Sequence, residues 1–184
     1  MWRKICGFLL RCLGWKPVSG MMPDNKAIII GVPHTSSWDF VISYLYYTSV
    51  GGLARIVIKK EFFFWPLGFI LKKMGAIPVD RSKGSTMVKQ VIDEMNKHEV
   101  FHLAITPEGT RKANKRWKAG FHIIAKATRA KVYLGYFDYG TKRIGWEQKL
   151  ELTDDPREDI KRMKAYYRDK GIVGKFPEMF TAEE

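Results

Sequence analysis

Cysteine is scarce: the 184 residues contain only Cys6 and Cys12. The two lie in one apolar stretch and form no Cys-x-x-Cys pair, which excludes a disulfide framework and a thiolate metal knuckle and fits a reducing compartment. Long apolar runs are lacking too. A spanning helix needs ~20 apolar residues, and the uncharged run Ile5 to Leu10 between Lys4 and Arg11 is far shorter. That stretch also lacks the longer apolar region and small-residue cleavage site of a secretory signal. Neither a Gly-x-Ser-x-Gly elbow nor a Gly-x-x-x-x-Gly-Lys-Ser/Thr loop occurs, which weighs against serine-hydrolase and P-loop readings. There is no internal repeat and no linker, so at ~100–200 residues per domain the chain reads as one domain.

Acidic residues are also in short supply, 19 against 32 Lys and Arg, leaving a formal charge of +13. The imbalance is local: residues 1–131 hold 22 basic and 8 acidic residues, and the remaining 53 hold 10 and 11. Such a charge expects a polyanionic partner, whether nucleic acid, an anionic membrane or a phosphorylated small molecule. Nucleic-acid binding would place aromatics among basic residues on one sheet face. Here they gather in an apolar block, Phe62-Phe63-Phe64-Trp65-Pro66-Leu67-Gly68-Phe69-Ile70-Leu71, flanked by Lys59, Lys60, Lys72 and Lys73. That arrangement suits a lipid headgroup region, the alternative being a buried helix with snorkelling lysines. At the N-terminus Trp2, Ile5, Cys6, Leu9 and Leu13 share one face of a helix with basic residues to its side. This suits an interfacial helix, or equally a first helix packed on its own domain.

Periodicity predicts strands at 26–31, 53–59, 76–79, 100–106, 131–139 and 142–152. It predicts helices at 38–49, 62–74 with a break near Pro66, 85–97, 120–129, and after Asp155-Pro156 to near Gly171. Strands alternating with helices imply an α/β single domain, a largely parallel central sheet flanked by helices, with its site at the carboxyl ends of the strands.

His98-Glu99-Val100-Phe101-His102 has the His-Glu-x-x-His pattern of zinc proteases, which works only on a continuous helix. The helix predicted to end near Lys97 gives way to a strand, where the two imidazoles would lie ~13 Å apart. A better constellation follows the first strand, Pro33-His34-Thr35-Ser36-Ser37-Trp38-Asp39. With His34 in a loop and Asp39 in the first helical turn, the carboxylate can fix one ring nitrogen and free the other as a general base. The competing reading is a Ser36-x-x-Asp39 capping box with His34 idle. The segment Gly75 to Arg81 ends a strand with an acid and a guanidinium. Thr106-Pro107-Glu108-Gly109-Thr110-Arg111 then exposes backbone N–H groups ahead of Lys112, Lys115, Arg116 and Lys118, a set suited to phosphate, or else a solvated loop.

Taken in order, these segments resemble the glycerophospholipid acyltransferase family, the PlsC-like group of lysophosphatidic acid and glycerol-3-phosphate acyltransferases. Its His-x-x-x-x-Asp motif is matched by His34 and Asp39. Its Gly-x-Ile-x-x-Asp-Arg motif is matched by Gly75, Ile77, Asp80 and Arg81, and Phe-Pro-Glu-Gly-Thr-Arg by Pro107 to Arg111. Lys118-Ala119-Gly120 resembles the following Lys-x-Gly. The chain departs at Pro33, where many members have Asn, at Ile105-Thr106 in place of the leading Phe, and at Val132 to Tyr136, which lacks the usual proline. The resemblance implies acyl transfer from acyl-CoA or acyl carrier protein to the hydroxyl of a lysophospholipid-type acceptor, without a metal or other cofactor. It implies His34 and Asp39 as catalytic residues, and Arg81, Glu108, Gly109, Thr110, Arg111 and Lys118 as substrate-binding ones. The expected organisation is a membrane-associating segment over residues 1–22 and an acyltransferase domain over 23–184. The domain is expected to be peripheral on the cytoplasmic face of a membrane, with no nucleic-acid partner.

Overall fold

The computed structural model describes residues 1–80 and 84–183, with the backbone alone at 84 and 85. Its strands are β1 (Lys16–Pro17), β2 (Lys26–Val32), β3 (Ala54–Lys59), β4 (Ala76–Val79), β5 (Phe101–Ile105), β6 (Lys131–Asp138) and β7 (Arg143–Leu150). Its helices are α1 (Trp2–Cys12), α2 (Trp38–Ser49), α3 (Leu67–Lys73), α4 (Gly84–Asn96), α5 (Gly120–Thr128) and α6 (Pro156–Lys170). Among the described residues the strands form one sheet in the order β1-β7-β6-β2-β5-β3-β4. All neighbours are parallel except β6 and β7, which form an antiparallel pair.

The strand sequences explain the layering. In β2, Lys-Ala-Ile-Ile-Ile-Gly-Val, alternate side chains go to opposite faces and nearly all are apolar, the pattern of a strand covered on both sides. Ile28, Ile30 and Val32 join Leu103 of β5 and Val132, Leu134 and Tyr136 of β6. Over this face pack Val91 and Met95 of α4, Phe121 and Ile124 of α5, and Met163 and Tyr167 of α6. Ala27, Tyr133, Phe137 and Ile144 face the other way, under Cys6 and Leu10 of α1 and Ile42, Leu45, Tyr46 and Tyr47 of α2. Each fully buried Leu, Ile, Met or Phe contributes about 1.5–3 kcal/mol, so burying both faces is what fixes the sheet.

Helix ends follow their local signals. The Asp155 side chain caps α6 by accepting the Arg157 N–H at 2.8 Å, Pro156 occupies its first turn, and Gly171 closes it at φ 62°. Two regions differ from the periodicity. The two-residue β1, too short to show a period, pairs in parallel with Arg143 and Ile144. The 62–74 stretch is a 3-10 turn, Lys60–Phe62, followed by α3, because Pro66 stands at the start of the helix rather than inside it. Phe62, Phe64, Trp65, Phe69 and Ile70 lie at the surface while Gly68 and Leu71 are buried, so this block is not a buried helix.

The first helix packs on its own domain and keeps a second face exposed. Cys6, Gly7 and Leu10 are buried on α2, and Trp2 Nε1 and Arg3 Nε reach Tyr44 and Ser49. Trp2, Ile5, Phe8, Leu9 and Leu13 remain exposed. The buried stripe is therefore offset from the face seen on the helical wheel. Trp15 and Met22 continue into the same core, so residues 1–22 pack on the domain.

Candidate active site

Parallel pairing brings three loops together. Ile30 of β2 is level with Ile105, the last residue of β5, and Val32, the last of β2, is level with Tyr136 of β6, which runs on to Asp138, so the three strands end in steps along the same edge. Their carboxyl ends carry His34, Glu108 and Tyr139 respectively, at the edge of the sheet where open α/β domains bind ligands.

His34 Nδ1 lies 3.1 Å from Asp39 Oδ2, with the His34 side chain 26% exposed and that of Asp39 3%. Asp39 Oδ2 also accepts the backbone N–H groups of Thr35 and Ser36 at 2.9 and 2.8 Å, and Ser36 Oγ accepts the N–H of Trp38. The Ser36-x-x-Asp39 box forms only in part, since the Asp39 N–H goes to the Ser36 carbonyl and not to its hydroxyl, and the Asp39 carboxylate is shared with His34. The carboxylate that ties down the turn ahead of α2 also faces the imidazole, while Ser37 at the N-cap makes no side-chain cap bond. Among the described residues Nε2 of His34 has no hydrogen-bond partner. A partly exposed imidazole fixed through one nitrogen is arranged for proton transfer at the other.

Glu108 is almost completely buried, and its Oε1 accepts the backbone N–H of His34 at 2.7 Å. Burial pushes its carboxyl up to about 8, against the pull of that N–H, and the nearby charge of Asp39 adds to the rise. It holds the His34 backbone, whereas the resemblance assigns it to substrate. Asn114 bridges the carbonyls of Glu108 and Arg116, and the Lys118 N–H bonds the Pro107 carbonyl at 2.7 Å, which closes the loop after β5 on itself. Gly109 stands at φ 69°, and a Cβ there would come within 2.8 Å of Lys118 Cε, so the lysine stem lies over a position only glycine fills without strain. Lys118 and Thr110 are exposed, and Thr110 Oγ1 accepts the Lys112 N–H. Arg111 Nη1 donates to Ser37 Oγ, a second tie between the loops after β2 and β5.

Asp80 follows β4, three strands from β2, and pairs with Lys60 at 2.7 Å. Arg81 lies outside the described residues. The His-Glu-x-x-His pattern is divided as the sequence predicts. His98 lies beyond α4 near Glu94, and His102 sits within β5. His102 Nε2 bonds the Asp24 carbonyl at 3.0 Å, so it carries the proton, and Nδ1 accepts from the Tyr47 hydroxyl at 2.6 Å. Burial lowers its pKa, which keeps it neutral. Among the described residues no cluster of His, Cys, Asp and Glu could hold a metal ion.

A family model described as Acyltransferase matches residues 18–135. The chain belongs to the acyltransferase family. No curated protein sequence matches it. Its structure is similar to the crystal structure of the 1-acyl-sn-glycerophosphate (LPA) acyltransferase PlsC from Thermotoga maritima, with a TM-score of 0.62 over 95% of this chain and 80% of that one. At 12% sequence identity this likeness is one of fold.

One contact of this acyltransferase lies outside the matched span and had no sequence signal. The Tyr139 hydroxyl donates to Asp39 Oδ1 at 2.8 Å from 100 residues away. Burial and the bonded Asp39 carboxylate hold that hydroxyl well above the ordinary tyrosine range, so it stays a donor. In the sequence Tyr139 reads only as the end of the strand predicted over 131–139, one residue past the observed β6.

Proposed function

We propose that this acyltransferase moves a fatty acyl group from an acyl thioester, acyl-CoA or acyl carrier protein, to the hydroxyl of a lysophospholipid-type acceptor. The observation that carries the reading is the His34–Asp39 pair, with Nδ1 held by a buried carboxylate and Nε2 without a protein partner among the described residues. In this mechanism His34 Nε2 takes the proton of the acceptor hydroxyl as its oxygen bonds to the thioester carbonyl carbon. The carbonyl π electrons move to oxygen, then return to re-form C=O while the C–S bond breaks and its electrons leave with sulfur. The imidazolium returns the proton to the thiolate, giving an ester and a free thiol. Asp39 balances the transient imidazolium charge, and base assistance of this kind is worth about 10²–10⁴-fold. A thioester is already activated, so neither a metal nor a covalent enzyme intermediate is required.

Arg111 and Lys118, exposed beside the dyad loop, are suited to an anionic headgroup, Arg111 by bidentate hydrogen bonding. Gly109 lets Lys118 lie close to the backbone. Arg81 and Thr110 belong to the same proposed headgroup set, and Glu108 contributes through the His34 backbone.

Membrane association at the cytoplasmic face is part of the proposal. Among the described residues no helix is long and apolar enough to cross a bilayer. Trp65 is 87% exposed, with Phe62, Phe64, Phe69 and Ile70 around it and Lys73 Nζ over the Phe69 ring. Exposed aromatics beside lysines suit an anionic interface.

The test measures thiol release and lipid products from a panel of lysolipids with both donors. Acceptor-dependent release that is abolished in His34→Ala is expected. Release without acceptor makes the protein a thioesterase, and wild-type turnover in His34→Ala removes His34 as the base.

A further inference from the structure

A carboxylate that serves a histidine must present one oxygen and keep its charge in place. Asp39 Oδ2 is occupied by His34 Nδ1 and by the N–H groups of Thr35 and Ser36. Oδ1 receives the Tyr139 hydroxyl and, among the described residues, no other donor. Tyr139 is itself held on several sides. Its ring meets Trp15 edge to face, centroids 4.9 Å apart, and Lys142 Nζ lies over both rings at 5.2 and 5.4 Å. Its N–H donates to the Val173 carbonyl at 2.9 Å, and the Val173 N–H returns to Asp138 Oδ1 at 3.1 Å.

The strand of chain that follows α6 thus crosses the carboxyl end of β6 and reaches the His34 loop. Phe176 N–H donates to Thr35 Oγ1 at 3.3 Å. A Cβ on Gly174 would stand 2.9 Å from the Thr35 side chain, so the strap lies flat on it. The strap therefore touches both Tyr139 and Thr35, which donate to opposite oxygens of Asp39.

We propose that Tyr139 is a positioning residue for the dyad, its hydroxyl orienting Asp39 toward His34 while the strap 172–176 and Trp15 hold it there. The proposal rests on His34 acting as base. Two effects follow from the hydroxyl. It stops rotation of a side-chain torsion that is otherwise soft, and it draws off part of the carboxylate charge that would otherwise act on the imidazolium. Among the described residues, the charged and titratable groups about the dyad include Glu108, Arg111 through Ser37, Lys142 above Tyr139, and Lys175 above the Trp38 ring.

The test is Tyr139→Phe, which keeps the ring against Trp15 and deletes only the hydroxyl, compared with wild type and His34→Ala in acyl-thioester assays across pH. The expected result is a kcat about tenfold lower with KM for donor and acceptor unchanged. The acidic limb of the kcat/KM profile should move to higher pH, because the unshared Asp39 charge favours the imidazolium. Proton NMR titration of the His34 ring reads the same shift where turnover is too low to follow. If His34→Ala is inactive while Tyr139→Phe matches wild type in rate and profile, the positioning role is overturned and the base assignment stands. A lower melting temperature with the acidic limb unmoved assigns Tyr139 to packing and overturns it as well. Full activity in His34→Ala removes the base assignment and, with it, the role of Tyr139.

Discussion

Glu108 Oε1 holds the backbone N–H of His34 at 2.7 Å, so a buried carboxyl from the loop after β5 fixes the residue proposed as the base in the loop after β2. Its titration makes stability depend on pH. The unfolded chain releases this proton near the ordinary 4.5, whereas the folded protein keeps it to about 8. Between those values the native state binds more protons, so the stability this group contributes is complete below 4.5 and is lost as pH rises through 8. Urea denaturation of the wild type should show that decline, on the order of a few kcal/mol. Glu108→Gln keeps an acceptor for His34 and should flatten it. An equal decline in the variant would assign the pH dependence to another group.

Substitutions at Asp39 separate stability from the proposed chemistry. Asp39→Ala leaves the N–H groups of Thr35 and Ser36 and the Tyr139 hydroxyl without their acceptor, at a cost of about 3 kcal/mol in denaturant titration. Asp39→Asn retains an acceptor oxygen and should lose much less stability, yet acyl transfer should fall by about 10²–10⁴-fold. Equal losses of stability and activity in both variants would assign Asp39 to the turn before α2 alone.

Gly109→Ala tests the loop geometry. The new Cβ meets the Lys118 stem at 2.8 Å from a left-handed backbone, so the lysine must move and the loop is strained by about 1 kcal/mol. Steady-state kinetics should show a raised KM for a phosphorylated acceptor with kcat little changed. Unaltered acceptor KM would take Lys118 out of the proposed headgroup site.

Arg111→Lys keeps the charge but loses the planar fork and is not conservative at a bidentate site. An anionic lysolipid should show a KM higher by about tenfold, worth ~1.4 kcal/mol, while an uncharged acceptor should show no change. Equal effects on both acceptors would mean that the tie to Ser37, not headgroup binding, was what the arginine supplied.

Membrane contact is tested at Trp65 and Phe69, which are 87% and 61% exposed. Their joint replacement by Glu should leave the melting temperature nearly unchanged, since surface changes away from packing features cost little. Co-sedimentation with anionic vesicles at physiological salt should drop severalfold. Undiminished sedimentation would move the lipid contact elsewhere, with the exposed face of α1 as the next surface to alter.

Much of this was written in the sequence, because the signals are local. The apolar alternation of β2, the Asp155-Pro156 start and Gly171 end of α6, and the His34 to Asp39 spacing all act within a few residues. Local signals set the order of elements, hence the largely parallel sheet and a site at the carboxyl ends of its strands. What remained open locally was which partner each polar group would find. The resemblance assigns Glu108 to substrate, and Asp39 stands open between a capping box and a histidine partner. Pairing in parallel register brought Glu108 to the His34 N–H and the Tyr139 hydroxyl to Asp39, from 74 and 100 residues away. No period or spacing encodes such contacts. They exist only once burial of both faces of the sheet has set β6, β2 and β5 side by side with their carboxyl ends at one edge, with Trp15 and the strap after α6 packed against Tyr139.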